Sequence, residues 1–89
     1  MQNYITKKLY TGNNLEILFQ SGFENPNFMT YRQGLEAGRQ VRKGEKGIQL
    51  CRVVDVKKVD KKTGEVKKSK APRYFTVFNF EQTDAVEVA

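Results

Sequence analysis

Histidine is absent from this 89-residue chain and cysteine occurs once. Without histidine, neither a Ser-His nor a Cys-His nucleophile pair can be assembled, and no zinc can be held by imidazole. The lone Cys51 excludes an internal disulfide; set in a β-branched run, it reads as a small buried hydrophobe rather than a catalytic thiol. No apolar run approaches the length that spans a bilayer, and no basic segment has the amphipathic pattern of an interfacial helix, so no membrane partner is expected. The first residues lack the apolar core of a secretory signal, which makes the cytoplasm the expected location. No cofactor, metal site or catalytic residue is expected. Residues 1–89 suffice for a single small domain near the lower limit of what one core supports, without room for a separate catalytic lobe.

What the chain does have is positive charge, unevenly placed. Its net charge is +6, yet the segment Arg39 to Arg73 holds 13 basic and 4 acidic residues while the remainder is net acidic. A field concentrated in this way suits a polyanion such as nucleic acid. Its sharpest feature is Arg39-Gln40-Val41-Arg42-Lys43-Gly44-Glu45-Lys46-Gly47. Glycine lets backbone come close to a ligand, and Arg and Lys supply donors that do not depend on base identity. The same letters are ordinary turn chemistry, so phosphate loop and solvated turn both remain open.

The chain pattern predicts an α+β fold: two short helices packed on a small, mainly antiparallel sheet of three to four strands. Residues 1–10 carry no decisive signal. Thr11 to Asn14 offers capping chemistry before Leu15 to Gln20, with Leu15, Leu18 and Phe19 at helical spacing and Gly22 as the stop. Asn25-Pro26-Asn27 reads as a turn. Thr30-Tyr31-Arg32-Gln33 is a capping box opening a second helix that exits at Gly38, with Tyr31 and Leu35 expected on its packed face. Ile48 to Val59 alternates as a strand, with Ile48, Leu50, Val54 and Val56 inward. Asp60 to Gly64 reads as a hairpin turn, Glu65 to Lys70 as the returning strand, and Pro72 as a break before the strand-like run Arg73 to Phe80.

The lysines at 57, 58, 61, 62, 67, 68 and 70 read first as a soluble strand edge that resists aggregation. Arg39, Arg42, Lys43, Lys46 and Arg73 are the better phosphate candidates, because glycine and aromatic residues interleave them. Tyr31 and Tyr74 are the candidate stacking platforms, with Tyr10 as a further ring; a base stacked on such a ring is worth about 1–3 kcal/mol whatever its identity.

Three blocks carry a family resemblance: Tyr10-x-Gly12-x-Asn14 before the first helix, Phe28 to Gln33 through Val41 to Gly47, and Tyr74-Phe75-Thr76-Val77-Phe78-Asn79-Phe80-Glu81-Gln82-Thr83. In this order they resemble the N-terminal single-stranded-DNA-binding domain of ArdC-type antirestriction proteins of plasmids and other mobile elements. The resemblance implies sequence-independent binding of single-stranded DNA, with a metallopeptidase of zincin type as a C-terminal or separate partner. No peptidase activity carries over, since the chain has no His-Glu-x-x-His helix. It also lacks the tryptophan-containing segment that precedes the first block in the family, has Phe28 where tryptophan is frequent, and has Arg39 in place of a glycine. A non-enzymatic single-stranded-DNA-binding domain is the first expectation. A protein-interaction module that docks an acidic partner is the second, and RNA binding, which uses the same phosphate and stacking chemistry, stays open beside them.

Overall fold

Local signals account for most of the element boundaries. The structure, a computed structural model, describes residues 1–86; residues 87–89, the end of the expected 1–89 domain, lie outside the described residues. Its elements are β1 (Gln2–Asn3), α1 (Gly12–Gln20), β2 (Asn27–Met29), α2 (Tyr31–Glu36), β3 (Arg39–Val41), β4 (Ile48–Val59), β5 (Val66–Asn79), a 3-10 turn (Phe80–Gln82) and β6 (Thr83–Ala85). The fold is α+β, with a four-stranded sheet in the order β1-β2-β5-β4 and a two-stranded sheet of β3 and β6. Among the described residues only the β1-β2 pair is parallel.

The capping box forms as its letters predict. The Thr30 hydroxyl accepts from the Gln33 N–H, and the Gln33 side chain accepts from the Thr30 N–H, so two of the helix's orphan donors are satisfied. Gly38, at φ 76°, then turns the chain out of α2 in a conformation that a Cβ would disfavour. At the other helix, Thr11 is the N-cap residue without a side-chain bond, and Asn14 does something different. Its amide donates to the Cys51 carbonyl at 2.8 Å and accepts from the Cys51 N–H at 3.2 Å, which fastens α1 to the outer edge of β4.

Leu18, Phe28, Leu50 and Val77 form the fully buried core between α1 and one face of the sheet, with Tyr10, Phe23, Ile48 and Phe75 packed around them. Each large apolar side chain removed from water in this way stabilises the fold by about 1.5–3 kcal/mol. The inward pattern of β4 is as expected: Leu50 is buried, and Ile48, Val54 and Val56 are half-buried. A smaller cluster occupies the opposite face, where Met29 packs under Gly34 of α2 and the Tyr31 ring meets Phe78 edge-on. Cys51 is half-buried rather than buried.

Three further local expectations fail. Pro72 does not interrupt pairing: β5 continues through it, with Pro72 opposite Val53. A proline fits a ladder where its missing N–H would have faced away from the partner, and on that side β2 reaches only Phe78 and Asn79. Tyr31 and Leu35 are largely exposed, and the buried residue of α2 is Gly34, because the six-residue helix lies close on Met29 there: a Cβ at Gly34 would come within 3.2 Å of the Met29 sulfur. In α1, Phe19 is exposed and Leu18 alone is buried, since one sheet face meets only a narrow stripe of so short a helix.

Candidate nucleic-acid interface

The basic loop is held from beneath by two buried polar side chains. Gln82 donates to the Lys46 carbonyl at 2.8 Å, its side-chain oxygen accepts from the Asn79 N–H, and its own carbonyl accepts from the Arg42 N–H. Asn79 in turn donates to the Asn25 carbonyl and accepts from the Glu81 N–H. Of the polar letters in the closing block Phe78 to Thr83, Asn79, Gln82 and Thr83 are therefore buried in support of the loop, and only Glu81 meets solvent. Gly44 has φ 88° in open space and makes the turn, whereas Gly47 exists for close packing: a Cβ there would lie 2.2 Å from the Thr76 methyl.

That anchoring uses two of the candidate cations. Arg39 lies in β3, where Nε donates to the Thr83 hydroxyl at 3.0 Å and Nη2 to the Thr83 carbonyl at 2.9 Å, while the guanidinium sits 4.0 Å from the centre of the Phe80 ring. Arg42 pairs with Asp84 at 3.1 Å and Glu45 at 3.9 Å, and also donates to the Glu81 carbonyl. Lys43 and Lys46 are exposed on the loop between. Tyr31 is half exposed beside them, its hydroxyl accepting from Gln40.

Arg73 is elsewhere. It lines a hollow of about 650 Å³ on the α1 face of the sheet, beyond the core, and directly across the ladder from it stands Arg52. Like charges placed opposite one another in a sheet repel. Among the described residues both ion pairs belong to Arg42, and the Arg73 guanidinium has only a 3.3 Å bond to the neighbouring Pro72 carbonyl. Two planar forks are thus left with most of their donors free, a geometry that matches phosphate oxygens. Tyr10, Phe75 and Leu9 give the hollow apolar walls, and Asn3, Thr30, Gln33 and Lys8 give it a polar rim. Asn3 organises that rim: its amide donates to Gln33 at 2.9 Å and to the Tyr10 hydroxyl at 3.3 Å. Burial raises the pKa of the Tyr10 hydroxyl above its ordinary value, partly offset by the bond it accepts from Asn3, so the phenol stays neutral. Tyr74 borders the same hollow and is exposed, although strand alternation turns it to the face opposite Arg73.

The seven candidates therefore divide into two places. Arg73 and Tyr74 lie at the hollow, while Arg39, Arg42, Lys43, Lys46 and Tyr31 surround β3 and the loop, where the two arginines are occupied within the fold. Arg52 was missed, though the alternation contained it: Ile48, Leu50, Val54 and Val56 point inward, and Arg52 occupies the same face between them.

The structure is that of a small α+β domain with a basic hollow, and comparison places it more closely. The chain belongs to the family described as the N-terminal domain of anti-restriction factor ArdC, whose model matches residues 1–78. The metal-free crystal structure of antirestriction ArdC protein from the R388 plasmid is similar at a TM-score of 0.85 and 34% identity, over 97% of this chain and 32% of that one. The Mn(II)-bound form of ArdC is similar at a TM-score of 0.71 and 30% identity, over 91% and 33%. Two sequences of DNA primase TraC from Escherichia coli are 40% and 36% identical over 94% of this chain, but only 10% and 7% of their own length is covered. The chain thus spans about a third of ArdC and a tenth or less of the primases. Among its described residues no cluster of three or more His, Cys, Asp or Glu side chains is placed to hold a metal. Among the described residues, no helix is long and apolar enough to cross a membrane.

Proposed function

We propose that this domain is a non-enzymatic binder of single-stranded DNA that holds the strand by its backbone without reading sequence, and that it serves mobile-element or antirestriction biology in the cytoplasm. The observation that carries the reading is the Arg52–Arg73 pair, two guanidiniums set opposite each other in a hollow where no carboxylate among the described residues neutralises them. Phosphate bridging the two forks relieves their repulsion, and the adjoining Tyr10, Phe75 and exposed Tyr74 supply ring surface for bases. Lys43 and Lys46 extend the positive field. The names of the relatives, an antirestriction protein and a DNA primase, are consistent with a DNA ligand. A metallopeptidase, if it works with this domain, belongs to a C-terminal or separately encoded partner.

The test is fluorescence anisotropy with labelled single-stranded DNAs of unrelated sequence, and with RNA, across a range of salt. Neutralising about 3–5 phosphates gives a slope of log K against log salt near −2 to −3.5 for a single strand. Equal affinity for all DNA sequences, lost in Arg52→Ala/Arg73→Ala, is the expected outcome. Unchanged affinity in that variant removes the hollow from consideration; equal or tighter binding of RNA assigns the site to RNA, and no binding of either polymer favours an acidic protein partner.

A further inference from the structure

Beyond Arg52 and Arg73, β4 and β5 leave the body of the protein and continue as a two-stranded ribbon. Every residue from Lys57 to Lys70 is exposed, and the molecule is drawn out to 57 Å in its longest dimension. Strands of 12 and 14 residues exceed the usual length, and an isolated hairpin is marginally stable in water. This one also carries repulsion along its centre: Lys57 lies opposite Lys68 and Lys58 opposite Lys67. Alternation puts Lys58 and Lys67 on one face and Lys57 and Lys68 on the other, with Lys61 and Lys62 at the tip. Protecting a sheet edge from aggregation requires a few charges. It does not require cations in register on both faces of an arm that covers no apolar surface.

A partner with negative charge on both sides of a ribbon-sized slot accounts for that arrangement. The major groove of B-form DNA, about 12 Å wide, admits a two-stranded β-ribbon and is walled on both sides by phosphate. We propose that the hairpin arm grips duplex DNA in the major groove. It stands on the same two strands as the Arg52–Arg73 hollow, with Lys58 about 20 Å further along the chain. The domain is then placed at a junction, with single strand in the hollow and duplex on the arm. The duplex grip stands by itself; only the junction preference rests on the single-strand reading above.

The experiment measures binding of the full chain to a single strand, a blunt duplex, and a duplex with a single-stranded overhang of either polarity. The proteins are the parent, the quadruple variant Lys57→Gln/Lys58→Gln/Lys67→Gln/Lys68→Gln, and the corresponding quadruple arginine variant. The parent is expected to favour the overhang substrate over either part by about 100-fold, as linked sites do. The glutamine variant is expected to lose that preference and keep its single-strand affinity within about twofold, since the sites are well separated. Its salt slope on blunt duplex should be shallower by about 3–4, and the arginine variant should restore binding. Duplex affinity unchanged in the glutamine variant overturns the proposal, as does an equal loss on single strand and duplex. Equal binding of A-form duplex RNA overturns the seating in the major groove, because that form's groove is too narrow for a ribbon. Lysine-dependent duplex binding without single-strand binding overturns the hollow as a strand site and leaves the duplex grip standing.

Discussion

Arg39 and Arg42 on one side, and Arg52 and Arg73 on the other, are the same residue type used in opposite ways. The first pair is consumed by the fold: Thr83, Phe80, Asp84, Glu45 and Glu81 take up their donors and charge. The second pair faces itself across a ladder and finds no carboxylate among the described residues. Stability is drawn from one pair and given up at the other, and it is on this difference that the proposed phosphate site rests. An arginine beside a glycine is therefore no better a phosphate candidate than one inside a strand until its partners are known.

The largest expected effect breaks that comparison at the hollow. Arg52→Ala/Arg73→Ala removes two charge-assisted contacts worth about 1.5–3 kcal/mol each, so single-strand affinity should fall by at least about 100-fold. Its melting temperature should hold or rise, because a repulsive pair is gone; a calorimetric scan beside the binding curve reads both. Arg39→Ala should do the reverse. Loss of two hydrogen bonds and the stacking on Phe80 is expected to cost about 2–3 kcal/mol in a denaturant titration, with affinity per folded molecule unchanged. Thr30→Ala, which opens the capping box beside the hollow's rim, should cost about 1 kcal/mol.

The smallest effect sharpens the picture of the hollow through pH. Burial raises the Tyr10 pKa above 10.0, so the folded chain holds that proton more tightly than the unfolded chain. The resulting stability is fully present below pH 10.0 and is lost as pH rises through the folded value. Tyr10→Phe should flatten this part of the stability profile, measured by chemical denaturation at alkaline pH. Unaltered slope in the variant would mean that the hydroxyl is not desolvated where it stands.

Legibility followed the range of the interactions. Thr30 with Gln33, Gly38 at the helix exit, Gly64 in the hairpin turn at φ 72°, and the alternation of Ile48, Leu50, Val54 and Val56 are contacts or conformations settled within a few residues. Each could be read from its neighbours. Pro72 was misread because a proline's effect on a ladder depends on which side its missing N–H faces, which is a matter of register with β4. That Arg39 and Arg42 are held within the fold could not be read locally, because Thr83, Asp84 and the Glu81 carbonyl lie about 40 positions away, in a segment that reads as mere acidic and polar letters.

The sequence by itself determined an α+β domain with a capped second helix, a long basic hairpin and a concentrated positive field, because propensity, period and charge are local or additive. Only the tertiary structure decided which cations are free. Pairing β3 with β6 brings Thr83 and Asp84 against Arg39 and Arg42, and pairing β4 with β5 sets Arg52 against Arg73. Whether a charge is spent or available depends on what long-range pairing places within about 4 Å of it, and that distance is not written in the order of residues.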